Sequence, residues 1–306
     1  MKGQILKIFK REKGIVSGET LSFELGVSRV SIWKHIRKLQ DFGYNIVATT
    51  MGYQLIDSID ALFPWEFPDR ESKIHFFPEV TSTMDIAGEL ARKGCSHFTV
   101  VIAGCQKKGR GRLKRIWHSS EGGLYFTIVL RPQIPPVLSL RLNFAASLVL
   151  AKLLRQMFCI DAMVKWPNDI LVNNRKISGI LSEINAESDR VSFINIGFGI
   201  NVNNDPASKE PTATSLRCIL GKKISKKQLL SEFLDKFESY IDNVNLDNVI
   251  SEWKKHTTTL NRRVKIVTYH DVSEGVAIDV DENGTLILEL ADGSIKKVIY
   301  GDCFHV

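Results

Sequence analysis

The sequence is short of three features. Its five cysteines are odd in number, scattered, and never spaced as Cys-x-x-Cys. This pattern argues against a disulfide framework or a cysteine-held metal, and it indicates reduced thiols. Apolar runs approaching membrane-spanning length are lacking, and the segment Met1 to Arg11 has no signal-peptide core. We therefore expect a cytoplasmic protein that has no membrane partner.

The third shortage is local, because no acidic residue occurs between Ala91 and Ser120. This stretch contains the cationic run Gly109 to Trp117, whose sequence is GRGRLKRIW. Its glycines let backbone N–H groups approach a ligand, and its arginines offer paired donors suited to phosphate or carboxylate. Strand-like runs precede it, Phe98 to Ala103, and follow it, Leu124 to Leu130. We predict a mobile anion-binding loop, although charge alone would favour a solvated loop or a nucleic-acid patch.

Length and composition set the remaining limits. A chain of 306 residues is too long for one compact core and predicts two or three domains. The 44% hydrophobic and 25% charged residues are ordinary for a globular protein, which excludes a disordered chain. The net charge of +7 and the pI of about 9.1 are compatible with a nucleic-acid or phosphate partner without requiring one.

Residues 1–40 have the pattern of a helix-turn-helix domain. Ser17 and Ser28 are suitable N-caps for a second and a third helix, and Gly26 supplies the turn between them. In the third helix, apolar residues recur at helical spacing at Ile32 and Ile36, which leaves a cationic outer face. The candidate DNA contacts on that face are Arg29, Ser31, Trp33, Lys34 and Arg37.

A predicted hairpin from Ile46 to Leu55, with Gly52 at its turn, adds a wing to this head. Residues 1–60 carry nine Lys and Arg against six Asp and Glu, a net charge of +3. We favour DNA binding, while a small protein-contact domain is the alternative. Residues 61–72 are predicted to be a linker, because Pro64 and Pro68 interrupt a stretch of mixed polarity.

The middle of the chain predicts a mixed α/β domain. A strand from Ile74 to Val80 leads into the hydroxyl-rich segment Thr81 to Asp85, which starts a helix ending near Arg92. Such an N-terminus suits a carboxylate or a polar ring ligand, although on this segment alone a plain N-cap is the better explanation. A long amphipathic helix, Ser139 to Phe158, is predicted to pack in the core. Its predicted inner residues are Leu140, Phe144, Leu148, Ala151 and Leu154.

Three further segments follow that helix. In Val164 to Asp169, Pro167 forces an extended conformation, so Asn168 and Asp169 come to a turn before a strand from Ile170 to Val172. A hairpin through Asn173 and Asn174 then returns as KISGILSE, which begins with Lys176 near Lys165 and Asp169. The last segment, Gly197 to Val202, follows a strand from Phe193 to Ile196. Its glycines allow close approach, and its Asn201 is a possible nucleotide contact, a weak signal alone.

The C-terminal part predicts two helices and then short strands. The helices are expected from Lys222 to about Val244 and from Asn248 to His256. Four alternating runs follow Asn261, with turns at 282–284 and 292–293. This pattern predicts a small SH3-like barrel.

With these motifs in order, the chain resembles the bifunctional biotin protein ligases of bacteria over essentially its whole length. The resemblance rests on the winged helix, GRGR followed by tryptophan, KWPND, KISGILSE, GFGINV and the small C-terminal barrel. It implies an α+β multidomain protein with a class II synthetase-like core. The implied bounds are a DNA-binding domain at 1–60, a linker at 61–72, a catalytic domain at 73–258 and an SH3-like domain at 259–306.

The resemblance also implies a reaction in two steps. Biotin and ATP form biotinyl-5′-adenylate, and the biotinyl group then passes to a lysine of a biotin carboxyl carrier protein, such as that of acetyl-CoA carboxylase. The implied biotin-binding residues are Ser82, Thr83, Met84, Gln106, Arg110, Gly111, Arg112 and Lys176, of which Arg112 and Lys176 are also catalytic. The implied nucleotide-binding residues are Gly109, Arg115, Trp117, Lys165, Asn168, Asp169 and Asn201, and Asp169 is also the implied Mg²⁺ ligand.

Two departures from the family pattern stand in these motifs. Met84 occupies a position that is more often asparagine, so we expect it to contact biotin by backbone or packing. Lys114 stands where the family usually has glycine, which would stiffen the loop or change how long the adenylate is retained.

The resemblance further implies a biotin-responsive repressor that binds operator DNA and forms a ligand-promoted homodimer. Two other functions stay open at this point, an adenylate-sensing regulator with weak transfer activity and a lipoate-type ligase.

Overall fold

The structure is a computed structural model, and it describes residues 1–187, 190–243 and 246–306. The chain divides into two compact units, Met1–Ser72 and Lys73–Val306, which are described separately.

The first unit is a three-helix domain with a two-stranded hairpin. Its elements are α1 (Lys2–Glu12), α2 (Gly18–Leu25), α3 (Arg29–Asp41), β1 (Asn45–Thr49) and β2 (Gly52–Asp57). The predicted caps are confirmed, because Ser17 Oγ accepts from Thr20 N at 3.0 Å and Ser28 Oγ accepts from Ser31 N at 3.2 Å. Gly26 is left-handed, with φ of 63°, as a tight turn between helices requires.

The predicted inner and outer faces of α3 are also confirmed. Ile32 and Ile36 are buried, while the side chains of four predicted DNA contacts are exposed and Ser31 is half-buried. The exposed four are Arg29, Trp33, Lys34 and Arg37.

The segment predicted as a linker is folded onto this unit. Phe63 and Trp65 stack at 4.7 Å between ring centroids, and both pack against the helical core. Trp65 Nε1 donates to Tyr44 Oη at 3.0 Å, and that hydroxyl donates to Glu66. Aromatic packing therefore joins this segment to the helical domain, which the mixed polarity and the two prolines did not indicate.

The second unit is built on an eight-stranded, mostly antiparallel sheet. Seven strands follow the order β3-β4-β6-β10-β9-β8-β7, and β5 pairs with β4. The strands are β3 (Ile74–Val80), β4 (Thr99–Arg110), β5 (Ile116–Ser119), β6 (Leu124–Leu130), β7 (Ala162–Lys165), β8 (Asp169–Val172), β9 (Arg175–Glu187) and β10 (Arg190–Ile200). The accompanying helices are α4 (Thr83–Arg92), α5 (Ser139–Phe158), α6 (Leu216–Leu220), α7 (Lys226–Asn243) and α8 (Val249–Lys254).

Helix α5 lies in the core of this unit. Its bounds are those predicted, but Leu140 is exposed rather than buried, while its neighbours Ser139 and Arg141 in the same turn are buried. Residues Pro136–Phe158 are long and apolar enough to span a membrane by length and composition, contrary to the expectation from the sequence. Most of this stretch is buried inside the protein, as a core helix should be.

Three helix predictions need adjustment. Helix α6 was not predicted, since five residues carry too little periodicity to be recognised. Helix α7 starts at Lys226 rather than Lys222, and the predicted end near Val244 lies outside the described residues. Helix α8 is shorter than predicted at both ends.

The C-terminal part forms a five-stranded antiparallel sheet in the order β14-β13-β12-β11-β15. Its strands are β11 (Arg262–Val267), β12 (Val272–Val280), β13 (Leu286–Leu290), β14 (Ile295–Val298) and β15 (Asp302–His305). The last strand was not predicted. Trp166, which follows β7, links the larger sheet to this part of the chain, because its Nε1 donates to Gly284 O at 3.0 Å and its backbone N donates to Thr259 Oγ1 at 2.8 Å.

Candidate active site

One cavity of about 570 Å³ opens between the eight-stranded sheet and the C-terminal sheet. All the predicted biotin- and nucleotide-binding residues line it except Gly109. Those that line it are Ser82, Thr83, Met84, Gln106, Arg110, Gly111, Arg112, Arg115, Trp117, Lys165, Asn168, Asp169, Lys176 and Asn201. The structure therefore brings together residues that lie as far as 119 positions apart in the chain.

One end of the cavity is uncharged, and we call Ser82, Thr83 and Gln106, with the buried Thr127 behind them, the hydroxyl end. Gln106 Oε1 accepts from Thr83 N at 2.8 Å and from Thr83 Oγ1 at 3.2 Å. Thr127 Oγ1 donates to Thr83 Oγ1 at 2.9 Å, and Ser82 caps α4. Because these groups are mostly buried and mutually bonded, this end is preorganised to receive a polar ligand.

The cationic run is a hairpin rather than the predicted loop. Strand β4 continues to Arg110 and pairs with β5, with Gly109 opposite Trp117 and Arg110 opposite Ile116. A Cβ on Gly109 would lie 2.4 Å from Trp117 O, so only glycine allows this pairing. The turn holds two consecutive left-handed residues, Leu113 at φ 50° and Lys114 at φ 61°.

The conformation of Lys114 bears on its departure from the family pattern. Glycine adopts a left-handed backbone freely, whereas a residue with a side chain pays about 1 kcal/mol for it. The glycine expected at this position would therefore fit the observed φ of 61° without strain.

Arg112 contacts the C-terminal sheet. One guanidinium nitrogen donates to Gly301 O at 3.0 Å. Burial lowers the pKa of this guanidinium, and the nearby Asp302 and Asp169 carboxylates act in the opposite direction. Among the described residues its other donors have no hydrogen-bond partner, and a half-buried cation with free donors is suited to an anionic ligand.

Arg115 makes the second link to the C-terminal sheet. Its guanidinium forms an ion pair with Asp302 Oδ2 at 2.7 Å and lies 5.8 Å from the centre of the Phe304 ring. Asp302, Phe304 and His305 line the cavity, and the sequence reasoning missed all three. Strand β15 follows a glycine and has only four residues, which are too few to show the alternating pattern of a strand.

Lys176 and Asp169 lie together as predicted. Lys176 Nζ is 2.6 Å from Asp169 Oδ1, and the same ammonium lies 5.4 Å from the centre of the Trp117 ring. Lys165 pairs with Asp169 across β7 and β8, and its ammonium lies 5.9 Å from the Phe304 ring. We call Arg112, Arg115, Lys165 and Lys176 the cationic end of the cavity.

Trp117 packs against two glycines of the sheet. A Cβ on Gly199 would lie 2.3 Å from its ring, and a Cβ on Gly179 would lie 2.8 Å from it. Gly197 leaves similar room for Met84, since a Cβ there would be 2.6 Å from Sδ. These glycines sit inside strands because neighbouring side chains fill the space above them.

Asn168 and Asn201 hold the backbone around the cavity. Asn168 Nδ2 donates to Ile180 O, and Ile180 N donates to Asn168 O at 3.0 Å. Asn201 Oδ1 accepts from Asn204 Nδ2 at 2.9 Å, and the Asn201 side chain is buried. In this conformation both side chains bond to protein groups.

Three family models match this chain, and together they span both units. The Biotin/lipoate A/B protein ligase family matches residues 76–201. An HTH domain matches residues 2–54, and the Biotin protein ligase C terminal domain matches residues 259–306.

Curated relatives match nearly the whole chain. The Bifunctional ligase/repressor BirA of Bacillus subtilis is 34% identical, over 94% of this chain and 93% of its own length. The protein of the same name from Escherichia coli is 30% identical, over 94% and 91%. Among solved structures, a biotin protein ligase from Aquifex aeolicus in complex with biotin and ATP is 28% identical with a TM-score of 0.63. That match covers 76% of this chain and 98% of the other.

Proposed function

Since the chain belongs to the family of bifunctional biotin ligase/repressors, we propose that the cavity performs both steps of biotin–protein ligation. In the first step, a carboxylate oxygen of biotin attacks the α-phosphorus of ATP, and the bond to the β-phosphate breaks to release pyrophosphate. In the second step, a lysine amine of the acceptor attacks the acyl carbon, the bond to the phosphate oxygen breaks, and AMP leaves. The amine proton passes to solvent.

One observation carries this proposal: a preformed uncharged end and a cationic end face the same cavity. The first step joins two anions, so it needs cations fixed where they meet. Lys176, Lys165, Arg112 and Arg115 supply four such charges, with Asp169 beside Lys176 to orient its ammonium. The hydroxyl end offers uncharged donors and acceptors for the polar ring of biotin.

The residue roles follow from this division. Biotin is bound by Ser82, Thr83 and Gln106, with Met84 packing beside it, and by the arginine hairpin around Arg110, Gly111 and Arg112. Lys176 and Arg112 stabilise the charge that develops on the α-phosphate. The nucleotide is bound by Gly109, Arg115, Trp117, Lys165, Asn168, Asp169 and Asn201, and the three glycines at 179, 197 and 199 leave room for Trp117 and Met84 to close on it.

Mg²⁺ is the metal that such chemistry calls for, and Asp169 is the residue we propose to hold it. No group of three or more His, Cys, Asp or Glu that could hold a metal occurs within residues 1–187, 190–243 and 246–306. This fits Mg²⁺, which is often bound by one or two carboxylates together with substrate phosphates. When bound, the ion would offset phosphate charge.

The test is to incubate the whole chain with ATP, biotin and a biotin-accepting domain and to count pyrophosphate and biotinylated product separately. We expect both to form. Pyrophosphate without biotinylated product would instead support an adenylate-sensing regulator with weak transfer activity. Lipoate replacing biotin at equal concentration would support a lipoate-type ligase.

The acceptor that fits this chemistry is a biotin carboxyl carrier protein of acetyl-CoA carboxylase or a related biotin-accepting domain. Biotin, ATP and such acceptor proteins occur in the cytoplasm, and we propose that the protein acts there. Fractionation of cells that produce the tagged chain, followed by blotting for biotinylated proteins, tests both points together.

The N-terminal unit supports a proposal about regulation. One copy of α3 with a net charge of +3 over residues 1–60 makes few phosphate contacts and binds DNA weakly. A two-fold dimer reads two half-sites and reaches repressor-like affinity. Ligand closing the arginine hairpin would favour the dimer, so operator binding would follow the adenylate. The proposed bounds are 1–60 for the reader, 61–72 for the linker, 73–258 for the catalytic domain and 259–306 for the SH3-like domain.

This switch is tested by sedimentation and by titration with operator DNA, each with and without biotin and ATP. We expect the ligands to raise both the dimer fraction and the operator affinity. Equal values in both conditions would exclude the switch. Arg37→Ala should weaken DNA binding while leaving ligation unchanged, because Arg37 is exposed on α3.

A further inference from the structure

A second, smaller cavity of about 280 Å³ lies beside the active-site cavity. Met84 and Arg110 line both cavities, so the two are neighbours. The rest of its lining comes from α4, β9 and β10 and is mostly polar. Apart from Met84 and Arg110, its lining residues have no assigned role in ligation, and we call this second cavity the acidic side cavity.

Arg110 lies where the two cavities meet, and it pairs with two carboxylates. One guanidinium nitrogen donates to Asp85 Oδ1 at 2.8 Å, and another donates to Glu183 Oε1. Glu183 ends the KISGILSE segment, and nothing above gives it a function. In this arrangement the Arg110 guanidinium is paired with both carboxylates.

A third acceptor faces the same cavity without a partner. Asn195 lines it and is 2% exposed, and its Oδ1 has no hydrogen-bond partner among the described residues. Buried polar atoms nearly always have a partner, so an unpartnered acceptor in a cavity indicates a donor that arrives from outside. Three carboxylates line the cavity against two arginines, so it keeps net negative charge beside Arg92 when Arg110 leaves, and with the amide oxygen it suits a group that carries several N–H donors and a positive charge.

We propose that the acidic side cavity docks the ammonium group of the acceptor lysine. This inference rests on the proposed function, in which a lysine of a biotin-accepting protein is the second substrate. When the anionic adenylate forms, Arg110 turns toward it and leaves Asp85 and Glu183. The lysine ammonium then takes the place of the guanidinium, and it loses its proton to solvent before the amine attacks.

Two features of the cavity favour this exchange. The side chains of Arg110, Asp85 and Glu183 are 41%, 44% and 39% exposed, so their ion pairs are weak and easily exchanged. Ile184 and Phe193 also line the cavity, and the methylene stem of a lysine can pack on them while its charged end reaches the carboxylates. The first step thereby prepares the site for the second.

The experiment measures the two steps separately in the whole chain. Pyrophosphate release reports adenylate formation, and single-turnover transfer from the preformed adenylate complex reports the second step at increasing acceptor concentration. The variants are Glu183→Gln and Asp85→Asn. Glu89→Gln is the matched control, since Glu89 lines the same cavity and makes no ion pair with Arg110 in the part of the chain that the structure describes.

We expect Glu183→Gln and Asp85→Asn to raise the acceptor concentration for half-maximal transfer about fivefold, the size that a partly exposed ion pair supports. Glu89→Gln should leave it unchanged. Consumption of the adenylate by hydroxylamine, an uncharged nucleophile at neutral pH, should not slow in any variant, because it needs no ammonium site.

Three results would overturn the inference: unchanged transfer in both variants, equal losses in both steps, or an equal loss in the Glu89→Gln control. If the unmodified chain forms no adenylate, the proposed function itself fails. If it forms and transfers the adenylate while the variants match it, only the ammonium site is excluded.

Discussion

The two ends of the active-site cavity are held by different kinds of interaction. At the hydroxyl end, Thr83, Gln106 and Thr127 are joined by neutral hydrogen bonds within one buried cluster. At the cationic end, Arg112 and Arg115 bond to the C-terminal sheet, to a carbonyl and a carboxylate that lie far away in sequence.

This difference explains how one cavity can bind the uncharged ring of biotin and an anionic phosphate by different kinds of interaction. A buried neutral network has to be built in advance, because unpaired polar groups there cost about 1–3 kcal/mol each. Partly exposed ion pairs contribute only about 0–1 kcal/mol, so an incoming phosphate can replace them. The hydroxyl end is therefore fixed before ligand binds, and the cationic end exchanges partners when it does.

The largest expected effect is at the cationic end. Lys176→Ala should slow adenylate formation by about 10²–10³-fold, because its charge acts on the phosphate in the transition state. The biotin dissociation constant should change much less. Pyrophosphate release under saturating ligands and calorimetry with biotin measure the two quantities.

Lys152→Ala is the matched control for this experiment, since Lys152 pairs with Glu252 and does not line the cavity. A Lys176 variant that lost biotin affinity and kept its maximal rate would reverse the role assigned to this residue.

The hydroxyl end should respond in the opposite way. Gln106→Ala removes the acceptor of two hydrogen bonds from Thr83 and should weaken biotin binding about tenfold. The maximal rate of adenylate formation should fall less. Calorimetry and initial rates test this, with the exposed Gln228→Ala as the control. A Gln106→Ala variant with normal biotin affinity and a low maximal rate would contradict the different roles assigned to the two ends.

Arg112→Ala should release the adenylate about tenfold faster, because one charge-assisted contact with phosphate is lost. The fold should survive, with unfolding made easier by about 1 kcal/mol from the lost bond to Gly301. Release of labelled adenylate and chemical denaturation measure these effects. Arg217→Ala, which changes an exposed arginine outside the cavity, should alter neither. Adenylate release at the normal rate would contradict the role of Arg112 as a phosphate contact at the cationic end.

The smallest effect concerns His305, which lines the cavity. Burial, together with the nearby charges of Lys165 and Arg262, lowers its pKa to about 4. The unfolded chain therefore binds this proton first as pH falls below about 6.5, so the stabilising contribution is complete above that pH and is lost toward pH 4.

Thermal denaturation should show a lower midpoint at pH 5 than at pH 7.5, and His305→Gln should reduce that difference. Part of it should remain, because burial also lowers the pKa of His75, His97 and His256. An unchanged pH dependence in the variant would show that His305 titrates normally in the folded protein.

The sequence predicted the hydroxyl end better than the cationic end. The strand Ile74–Val80, the N-cap at Ser82 and the helix behind it all follow from local periodicity and capping chemistry, which a single segment contains. Glycine and charge in GRGRLKRIW suggested a loop, yet the segment forms a hairpin. The strand partner of Gly109 is set by tertiary packing, and no local rule carries that information.

The sequence did not predict that the C-terminal sheet supplies residues to the cavity, and the reason is again that tertiary pairing defines the strand. Asp302 and Phe304 belong to a four-residue strand that is defined only by its pairing with β11. Leu140 was misplaced because helical spacing gives the direction of a side chain but not which neighbouring elements cover it. The position of Lys176 beside Asp169 was predictable, since a hairpin through Asn173 and Asn174 brings neighbouring strands together.

The packing of Trp117 on two glycines also makes this residue an optical probe. Its indole lies on Gly179 and Gly199, its Nε1 is buried without a hydrogen-bond partner among the described residues, and a lysine ammonium lies 5.4 Å from the ring. Indole emission is sensitive to nearby charge and hydrogen bonding, so any movement of the arginine hairpin changes the fluorescence of the protein without a label. Of the five tryptophans in the chain, Trp117 is the one carried by that hairpin.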